Sequence, residues 1–178
     1  MRERRPGEPR RRSAFVTVIA RSVTAGLLLA GPAVQAEPSR VNPFDDPFIA
    51  VTDGLPGCPE PQAPTYTDEE FRAEAHDRSQ RGVSCWMAGR CRLHNAYLYD
   101  REIVPRVKRA IESTRRFDAT RIWALGQRRV VWLKGCVATA EQAAEIERIV
   151  RDIDDVEGVR NELMVGTAGA PPYRTARP

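Results

Sequence analysis

Apolar residues recur at helical spacing in two segments of the chain, and each segment predicts a helix with one buried face. The first face comprises Ile103, Val107, Ala110, Ile111 and Thr114. Pro105 is expected in or just before the first turn, so regular helix is predicted only from near Val104. The second face comprises Ala143, Ile146, Val150 and Ile153. A capping box at Thr139–Gln142 precedes it and marks its start.

Alternating apolar and polar residues predict three strands, at residues 120–125, 130–137 and 159–165. The turn signal Gly126-Gln127-Arg128 joins the first two strands, and Gly135 permits a bend or a close helix approach. In the second strand, one face carries Val131, Leu133 and Val137, and the other carries Trp132, Lys134 and Cys136. Residues 100–166 are therefore predicted to fold in the order helix, strand, strand, helix, strand.

The segments that flank this region show different patterns. Residues 37–66 contain seven prolines, which argue against helix and central strand, so we expect an extended arm or linker. Plain disorder is the alternative. Residues 67–99 are predicted to be a helical segment that contains cysteines, opened by a capping box at Thr67–Glu70. Within it, the apolar stretch Cys85–Tyr99 is expected to cover a neighbouring core, and residues 167–178 are expected to form a flexible tail.

The charge of the chain is distributed unevenly. The formal net charge is +4, but residues 1–36 hold seven arginines and two glutamates, so the remaining chain is near neutrality. This distribution argues against a nucleic-acid-binding protein. A basic start, an apolar run and the small residues at Val34–Ala36 predict a cleaved signal peptide at residues 1–36 and a periplasmic mature protein. The alternative is an uncleaved anchor helix, which Arg21 would interrupt.

All four cysteines follow the predicted signal peptide, and an even number in an exported protein predicts two disulfides. Cys85 and Cys91 enclose a short loop and are the easiest local pair, which leaves Cys58 to bond Cys136. The set Cys85, Cys91 and His94 matches no common zinc spacing, so neither a metal nor a cofactor is expected. The sequence contains no C-x-x-C motif, which argues against a thiol-redox enzyme.

The region around residues 100–166 resembles the BON domain, named for bacterial osmotically inducible and nodulation proteins, in the string RVVWLKGCVATAEQAAEIERIVRDIDDVEGVRNELMV. The features that match are Val131, Leu133, Gly135, Val137, Gly158, Val159, Asn161, Leu163 and Val165. Cys136 after the strand glycine departs from the family pattern. The resemblance implies an α+β fold, a small two-layer αββαβ domain, in the cell envelope. It also implies a non-enzymatic module that binds anionic phospholipid in some members, attaches to envelope complexes in others, and often serves osmotic or envelope stress tolerance.

The two halves of the predicted domain carry opposite charge. Residues 101–134 hold ten basic and three acidic groups, whereas residues 135–166 hold three basic and eight acidic groups. Basic side chains and an interfacial tryptophan favour contact with anionic lipid headgroups. The candidate lipid-binding residues are Arg106, Lys108, Arg109, Arg115, Arg116, Arg128, Arg129 and Trp132. The alternative is that the arginines pair with the acidic second helix or with the proline-rich arm, in which acidic residues outnumber basic ones.

Two other classes of function stay open. A protein–protein adaptor would use the proline-rich arm and the Cys85–Tyr99 patch to hold another envelope protein. A hydrolytic enzyme is less favoured, because His76 and His94 lie outside the predicted domain. The sequence also contains no nucleophile elbow, P-loop or dinucleotide fingerprint. A non-enzymatic binding module of the envelope is therefore the function we expect.

Overall fold

The computed structural model describes residues 39–176, so the predicted signal peptide lies outside the described residues. The helices and strands are β1 (Phe48–Asp53), α1 (Asp68–Arg81), α2 (Ser84–Met87), α3 (Asp100–Ser113), β2 (Arg121–Gln127), β3 (Val130–Val137), α4 (Ala140–Arg151) and β4 (Gly158–Val165). A 3₁₀ turn at Ala96–Tyr99 leads directly into α3.

The four strands form one mixed sheet in the order β1-β2-β3-β4. The first three strands are antiparallel neighbours, whereas β3 and β4 are parallel because α4 crosses between them. Helices α3 and α4 contribute to the same core as the strands. That core includes Ile103, Val107, Ile111, Ile122, Val131, Leu133, Ile146 and Val150. The α+β class and the predicted order of helix, strand, strand, helix, strand are confirmed.

Strand β3 has the predicted alternation of faces. Val131, Leu133 and Val137 are buried in the main core. Cys136 points to the opposite face and is also buried, because its disulfide to Cys58 brings the arm against the sheet. The smaller cluster on this face comprises Cys58, Trp123 and Cys136, with Phe48, Leu55 and Met164 packed against it. The sheet therefore has apolar cover on both faces.

Gly135 lies where the backbone of β2 comes very close to β3. Its φ is 126°, a conformation that residues with a side chain rarely adopt. A β-carbon at this position would lie 2.0 Å from the carbonyl oxygen of Arg121. The close approach is therefore made by the neighbouring strand rather than by a helix.

The start of α3 differs from the prediction. The helix begins at Asp100 rather than near Val104, and Pro105 is its sixth residue. The proline ring cannot donate a hydrogen bond to the Arg101 carbonyl. Burial of Ile103 and Val104 in the core holds the first turns in helical conformation despite this loss.

The turn between β2 and β3 is also placed differently. Its two residues are Arg128 and Arg129, with φ of 55° and 66°, and Gly126 lies within β2. Positive φ at both positions is the pattern of a type I′ hairpin turn, for which glycine, asparagine and aspartate are the usual residues. A β-carbon at Gly126 would lie 2.7 Å from Val104 Cγ2, so this glycine allows α3 to approach the sheet.

The proline-rich arm and the tail both contact the sheet region. Strand β1 belongs to the arm and pairs with β2, so the sheet has one strand more than the sequence predicts. Up to Ala176 the tail contains no helix or strand. It is nevertheless held, because the Tyr173 hydroxyl is 2.8 Å from the Pro59 carbonyl oxygen and donates to it. An isolated bridge also joins Pro61 to Thr175.

Both predicted disulfides are confirmed. The Cα atoms of Cys58 and Cys136 are 5.8 Å apart, and those of Cys85 and Cys91 are 5.3 Å apart. Within residues 39–176, no three His, Cys, Asp or Glu side chains are grouped so that they could bind a metal ion. None of the helices described has the length and apolar character needed to cross a membrane.

Candidate binding surface

Five basic side chains lie on the outward side of α3 and just beyond its C-terminal end. Ile103, Val107 and Ile111 point into the core, so helical spacing leaves the opposite side to solvent. The five residues, called the basic face below, are Arg101, Lys108, Arg109, Arg115 and Arg116. Four of them are candidates from the sequence, and the structure adds Arg101.

Acidic side chains border most of the basic face. The ion pairs are Arg101–Asp45, Lys108–Glu112, Arg115–Asp118 and Arg116–Glu145. Arg109 is exposed and forms no ion pair with any residue from 39 to 176. Exposed pairs of this kind are worth about 0–1 kcal/mol, because water screens them. Two of the pairs, Arg101–Asp45 and Arg116–Glu145, join the face to the arm and to α4, which is the alternative that the sequence left open.

The predicted residues Arg106 and Arg129 hold the structure together near the β2–β3 turn. Arg106 Nη1 lies 3.3 Å from Asp155 Oδ2, and Arg129 Nε donates to the Asp155 carbonyl oxygen at 2.7 Å. The guanidinium of Arg129 also lies 5.0 Å from the ring centre of Tyr99. Arg128 lies in the turn itself and is half-buried. Arg106 and Arg129 therefore tie α3 and the hairpin to the loop between α4 and β4.

Trp132 lies on a different side of the molecule from the basic face. Val131 and Leu133 point into the core beneath the helices, so Trp132 between them points to the opposite face of the sheet. There its ring centre is 6.0 Å from the guanidinium carbon of Arg160. The structure thus separates the predicted tryptophan from the predicted arginines of α3.

A family model described as the BON domain matches residues 99–167, the region from α3 to β4. These residues form a BON domain. The family is a non-catalytic binding domain found in periplasmic proteins, and two disulfides fit an oxidising compartment. No curated protein matches the chain. The basic face belongs to the first helix of the BON domain, whereas β1, α1 and α2 lie before it.

A buried polar cluster joins the arm, α1 and the BON domain. Arg78 makes two hydrogen bonds of 2.6 Å to the Asp46 carboxylate. Its guanidinium lies between two aromatic rings, 4.0 Å from the centre of Phe44 and 4.3 Å from that of Tyr97. Gln127 at the end of β2 donates to Asp46 Oδ2 at 2.8 Å. No sequence motif identifies this cluster, because its members are distant in the chain.

The pKa shifts in this cluster favour the charged form of Arg78 and the neutral form of Tyr66. Burial by itself would lower the pKa of Arg78, but hydrogen bonds and the charge of Asp46 outweigh burial and raise it. Burial, together with the charge of Asp46, raises the pKa of Tyr66 to about 12. Tyr66 therefore stays neutral near pH 7 and can donate its hydroxyl proton to Asp46 Oδ2 at 3.2 Å. The cluster is a fixed structural element rather than a source of protons.

Asp100 is a second buried acid that the sequence did not single out. Its carboxylate accepts hydrogen bonds from the backbone N–H groups of Arg128 at 2.7 Å and Arg129 at 2.8 Å. Burial raises the pKa of Asp100 to about 7, although these two hydrogen bonds act in the opposite direction. The BON domain thus contains a carboxyl group at its hairpin turn that titrates near neutral pH.

Two cavities formed by residues between 39 and 176 show what chemistry their linings can support. An open groove of about 580 Å³ between β1 and α3 is lined by both signs of charge, with Lys108 and Glu112 among its residues. A smaller cavity of about 220 Å³ contains His94 beside Asp46 and Arg78, whose charged groups already satisfy each other. Neither lining brings a histidine together with a serine or cysteine nucleophile. These cavities give no support to hydrolytic chemistry.

Proposed function

We propose that this protein is an exported, periplasmic binding module that associates with anionic phospholipid through the basic face of its BON domain. By binding at the membrane surface it contributes to osmotic or envelope stress tolerance. The predicted signal peptide at residues 1–36 directs the export in this proposal. The proposal assigns the protein no catalytic step and no cofactor.

The observation that carries the proposal is the exposure of Arg109 at the centre of the basic face. Lys108 and Arg109 are adjacent on α3, while Arg101 lies two turns earlier and Arg116 follows the helix end. Each basic group near an anionic membrane surface contributes about 1 kcal/mol. Four or five such contacts give useful affinity, and added salt weakens them because it screens the charges.

Side-chain contacts support a smaller set of residues for binding to a flat surface. Arg106 and Arg129 are engaged by the loop between α4 and β4, and Trp132 lies on the other face of the sheet. The proposal therefore relies mainly on Arg109 and the other exposed members of the basic face, because Lys108 Nζ also donates to the Ala50 carbonyl oxygen at 2.9 Å. The remaining predicted residues contribute through the fold of the domain.

Vesicle flotation with the mature protein tests this proposal. We expect binding to phosphatidylglycerol vesicles, weak or no binding to phosphatidylcholine vesicles, and loss of binding as salt is added. Arg109→Glu removes one favourable contact and adds a repulsive one, so affinity for phosphatidylglycerol should fall about tenfold or more.

Arg151→Glu is the matched control for this experiment. Arg151 is an exposed arginine on α4, and it pairs with Glu147 rather than with Glu145, the partner of Arg116. This substitution changes the net charge as much as Arg109→Glu does, but outside the basic face. The affinity of the variant for phosphatidylglycerol vesicles should therefore stay within about threefold of that of the wild type. Equal binding to both kinds of vesicle, no binding at all, or equal loss in the two variants would contradict the proposal.

A further inference from the structure

The loop closed by the Cys85–Cys91 disulfide exposes two large apolar side chains. Trp86 is 52% exposed and Met87 is 76% exposed. All of residues 86–90, called the disulfide loop below, are exposed. Large apolar side chains that are adjacent and exposed on a soluble surface commonly mark an interaction site.

The disulfide loop is held in one conformation by its own covalent and hydrogen bonds. The Arg90 N–H donates to the Cys85 carbonyl oxygen at 2.9 Å, and the Gly89 N–H donates to the Trp86 carbonyl oxygen at 2.9 Å. Gly89 has φ of 67°, which allows the chain to reverse before Cys91. Because the loop is ordered before it binds, little conformational entropy is lost on binding.

The apolar residues around the disulfide loop behave differently from Trp86 and Met87. Ala96 and Tyr99 are buried, and Leu93 packs against the main core. The Cys85–Tyr99 patch thus covers the core with one part, as predicted from the sequence, and projects Trp86 and Met87 with another. Leu98 is also exposed, at 40%, so Trp86 and Met87 at the tip of the loop are the most exposed large apolar side chains of this patch.

The charge around the disulfide loop is basic. Between Asp77 and Asp100 the chain has no acidic residue, and it has four arginines. Three of these arginines are exposed, but Arg81 is paired with Asp77, and Arg92 is paired with Glu102 and Asp155. Arg90, inside the loop, forms no ion pair with the residues that the structure describes. A partner that accepts apolar side chains and offers an anionic group to Arg90 therefore suits this surface.

The base of the disulfide loop is fixed to the BON domain. Arg92 Nη2 lies 2.7 Å from Glu102 Oε2 on α3, and Arg129 Nη1 donates to Cys91 Sγ at 3.1 Å. Cys91 also packs against the main core. The loop is therefore attached to the domain at its base by an ion pair, a hydrogen bond and apolar packing.

We propose that the disulfide loop inserts Trp86 and Met87 into the interfacial region of an anionic phospholipid membrane. This inference rests on the proposed function and adds a second, apolar contact outside the BON domain. A five-residue tip is far smaller than the roughly 800 Å² per partner of a stable protein interface. Two apolar side chains are sufficient for shallow insertion, tryptophan favours the headgroup level, and Arg90 can meet lipid phosphate there.

The test compares loop variants of the mature protein on phosphatidylglycerol vesicles. Trp86→Ser with Met87→Ser removes both inserted side chains, and affinity should fall about tenfold or more. Val41→Ser with Val165→Ser is the matched control, because these side chains are 57% and 54% exposed elsewhere. The control should bind as the wild type does, and all variants should keep the wild-type melting temperature.

Fluorescence gives a readout that is specific to insertion. Brominated phosphatidylglycerol quenches tryptophans that lie in the membrane, so the wild type should be quenched. Trp86→Phe, which leaves Trp123 and Trp132, should lose that quenching while it still binds. Quenching that persists in Trp86→Phe would overturn the inference.

The outcomes separate this inference from the proposed function. If the wild type does not bind phosphatidylglycerol vesicles, both are wrong. If the serine double variant binds these vesicles as tightly as the wild type, only the inference is wrong. A third result is that the serine double variant keeps its vesicle binding but loses a crosslink that the wild type forms to another envelope protein. That result would overturn the inference and identify the loop as a docking site for a protein.

Discussion

At the scale of single residues, Asp100 explains how two arginines can form a hairpin turn. Arg128 and Arg129 both have positive φ, which costs each of them about 1 kcal/mol relative to glycine. Their N–H groups donate to the two oxygens of the Asp100 carboxylate at 2.7 and 2.8 Å. A buried acid on α3 therefore offsets an unfavourable turn sequence in the sheet.

Asp100 should make the stability of the protein depend on pH. Its pKa is raised by burial from 3.8 to about 7, so the folded state holds the proton more tightly than the unfolded state. The stabilisation from this proton is complete below about pH 4 and is lost as the pH rises to about 7. The difference in free energy of unfolding between the wild type and Asp100→Asn should therefore change as the pH rises from 5 to 8. Over this range the wild type should lose about 2 kcal/mol of stability relative to the variant.

Urea unfolding of both proteins at several pH values between 5 and 8 measures this difference. Asp100→Asn keeps the size of the side chain but does not titrate, so the other groups of the protein contribute equally to both curves. If the free energy of unfolding of the wild type minus that of Asp100→Asn stays constant, or grows, as the pH rises, Asp100 has no raised pKa.

At the scale of secondary-structure elements, Arg78 connects parts that the sequence leaves separate. It lies on α1, binds Asp46 of the arm, and is surrounded by aromatic rings from the arm and from the segment before α3. The arginine side chain suits this position because its planar fork can bind a carboxylate with two hydrogen bonds and stack on rings at once. This cluster explains why a polar helix with little apolar surface is held in place.

Arg78→Lys should therefore destabilise the protein although it preserves the charge. Lysine cannot make the paired hydrogen bonds to Asp46 or stack between Phe44 and Tyr97, so we expect a loss of about 2 kcal/mol. Arg81→Lys, on the same helix at an exposed ion pair with Asp77, should change stability by less than about 0.5 kcal/mol. Equal stability of the two variants in urea unfolding would refute this role of Arg78.

At the scale of the whole molecule, the arm and the BON domain are joined by a long-range covalent bond. Cys58 and Cys136 are separated by 78 residues, whereas Cys85 and Cys91 are separated by 6. The longer loop restricts the unfolded chain more strongly when it is closed. The Cys58–Cys136 bond also organises the apolar cluster on the second face of the sheet.

The two disulfides should therefore differ in their effect on stability. Replacing Cys58 and Cys136 by alanine should lower the free energy of unfolding by about 4 kcal/mol, and replacing Cys85 and Cys91 by about 2 kcal/mol. Denaturant unfolding of the two double variants measures both values. A larger loss from the Cys85/Cys91 variant would mean that the short loop, rather than the connection between arm and sheet, limits stability.

Much of the BON domain could be predicted because its elements carry strong local patterns. The helical repeat of Ile146 and Val150 and the alternation of Val131 and Leu133 along β3 follow directly from burial against the layer of helices. Strand β1 was missed, because its short apolar run lies among prolines and acquires strand structure only by pairing with β2. The turn at Arg128–Arg129 was misplaced, because its support comes from Asp100, 28 residues earlier for the first of them.

Local patterns in the sequence predict the order of the domain's elements and the resemblance of residues 100–166 to the BON domain, because periodicity and motifs lie in neighbouring residues. The disulfide pairs were only a hypothesis from the sequence, since Cys58 and Cys136 are 78 residues apart, and the structure establishes them. Packing sets which charged and aromatic side chains share a surface. It separated Trp132 from the basic face, buried Arg78 against Asp46, and left Trp86 and Met87 exposed. Surfaces are formed by residues distant in the chain, so their composition follows from packing rather than from local pattern.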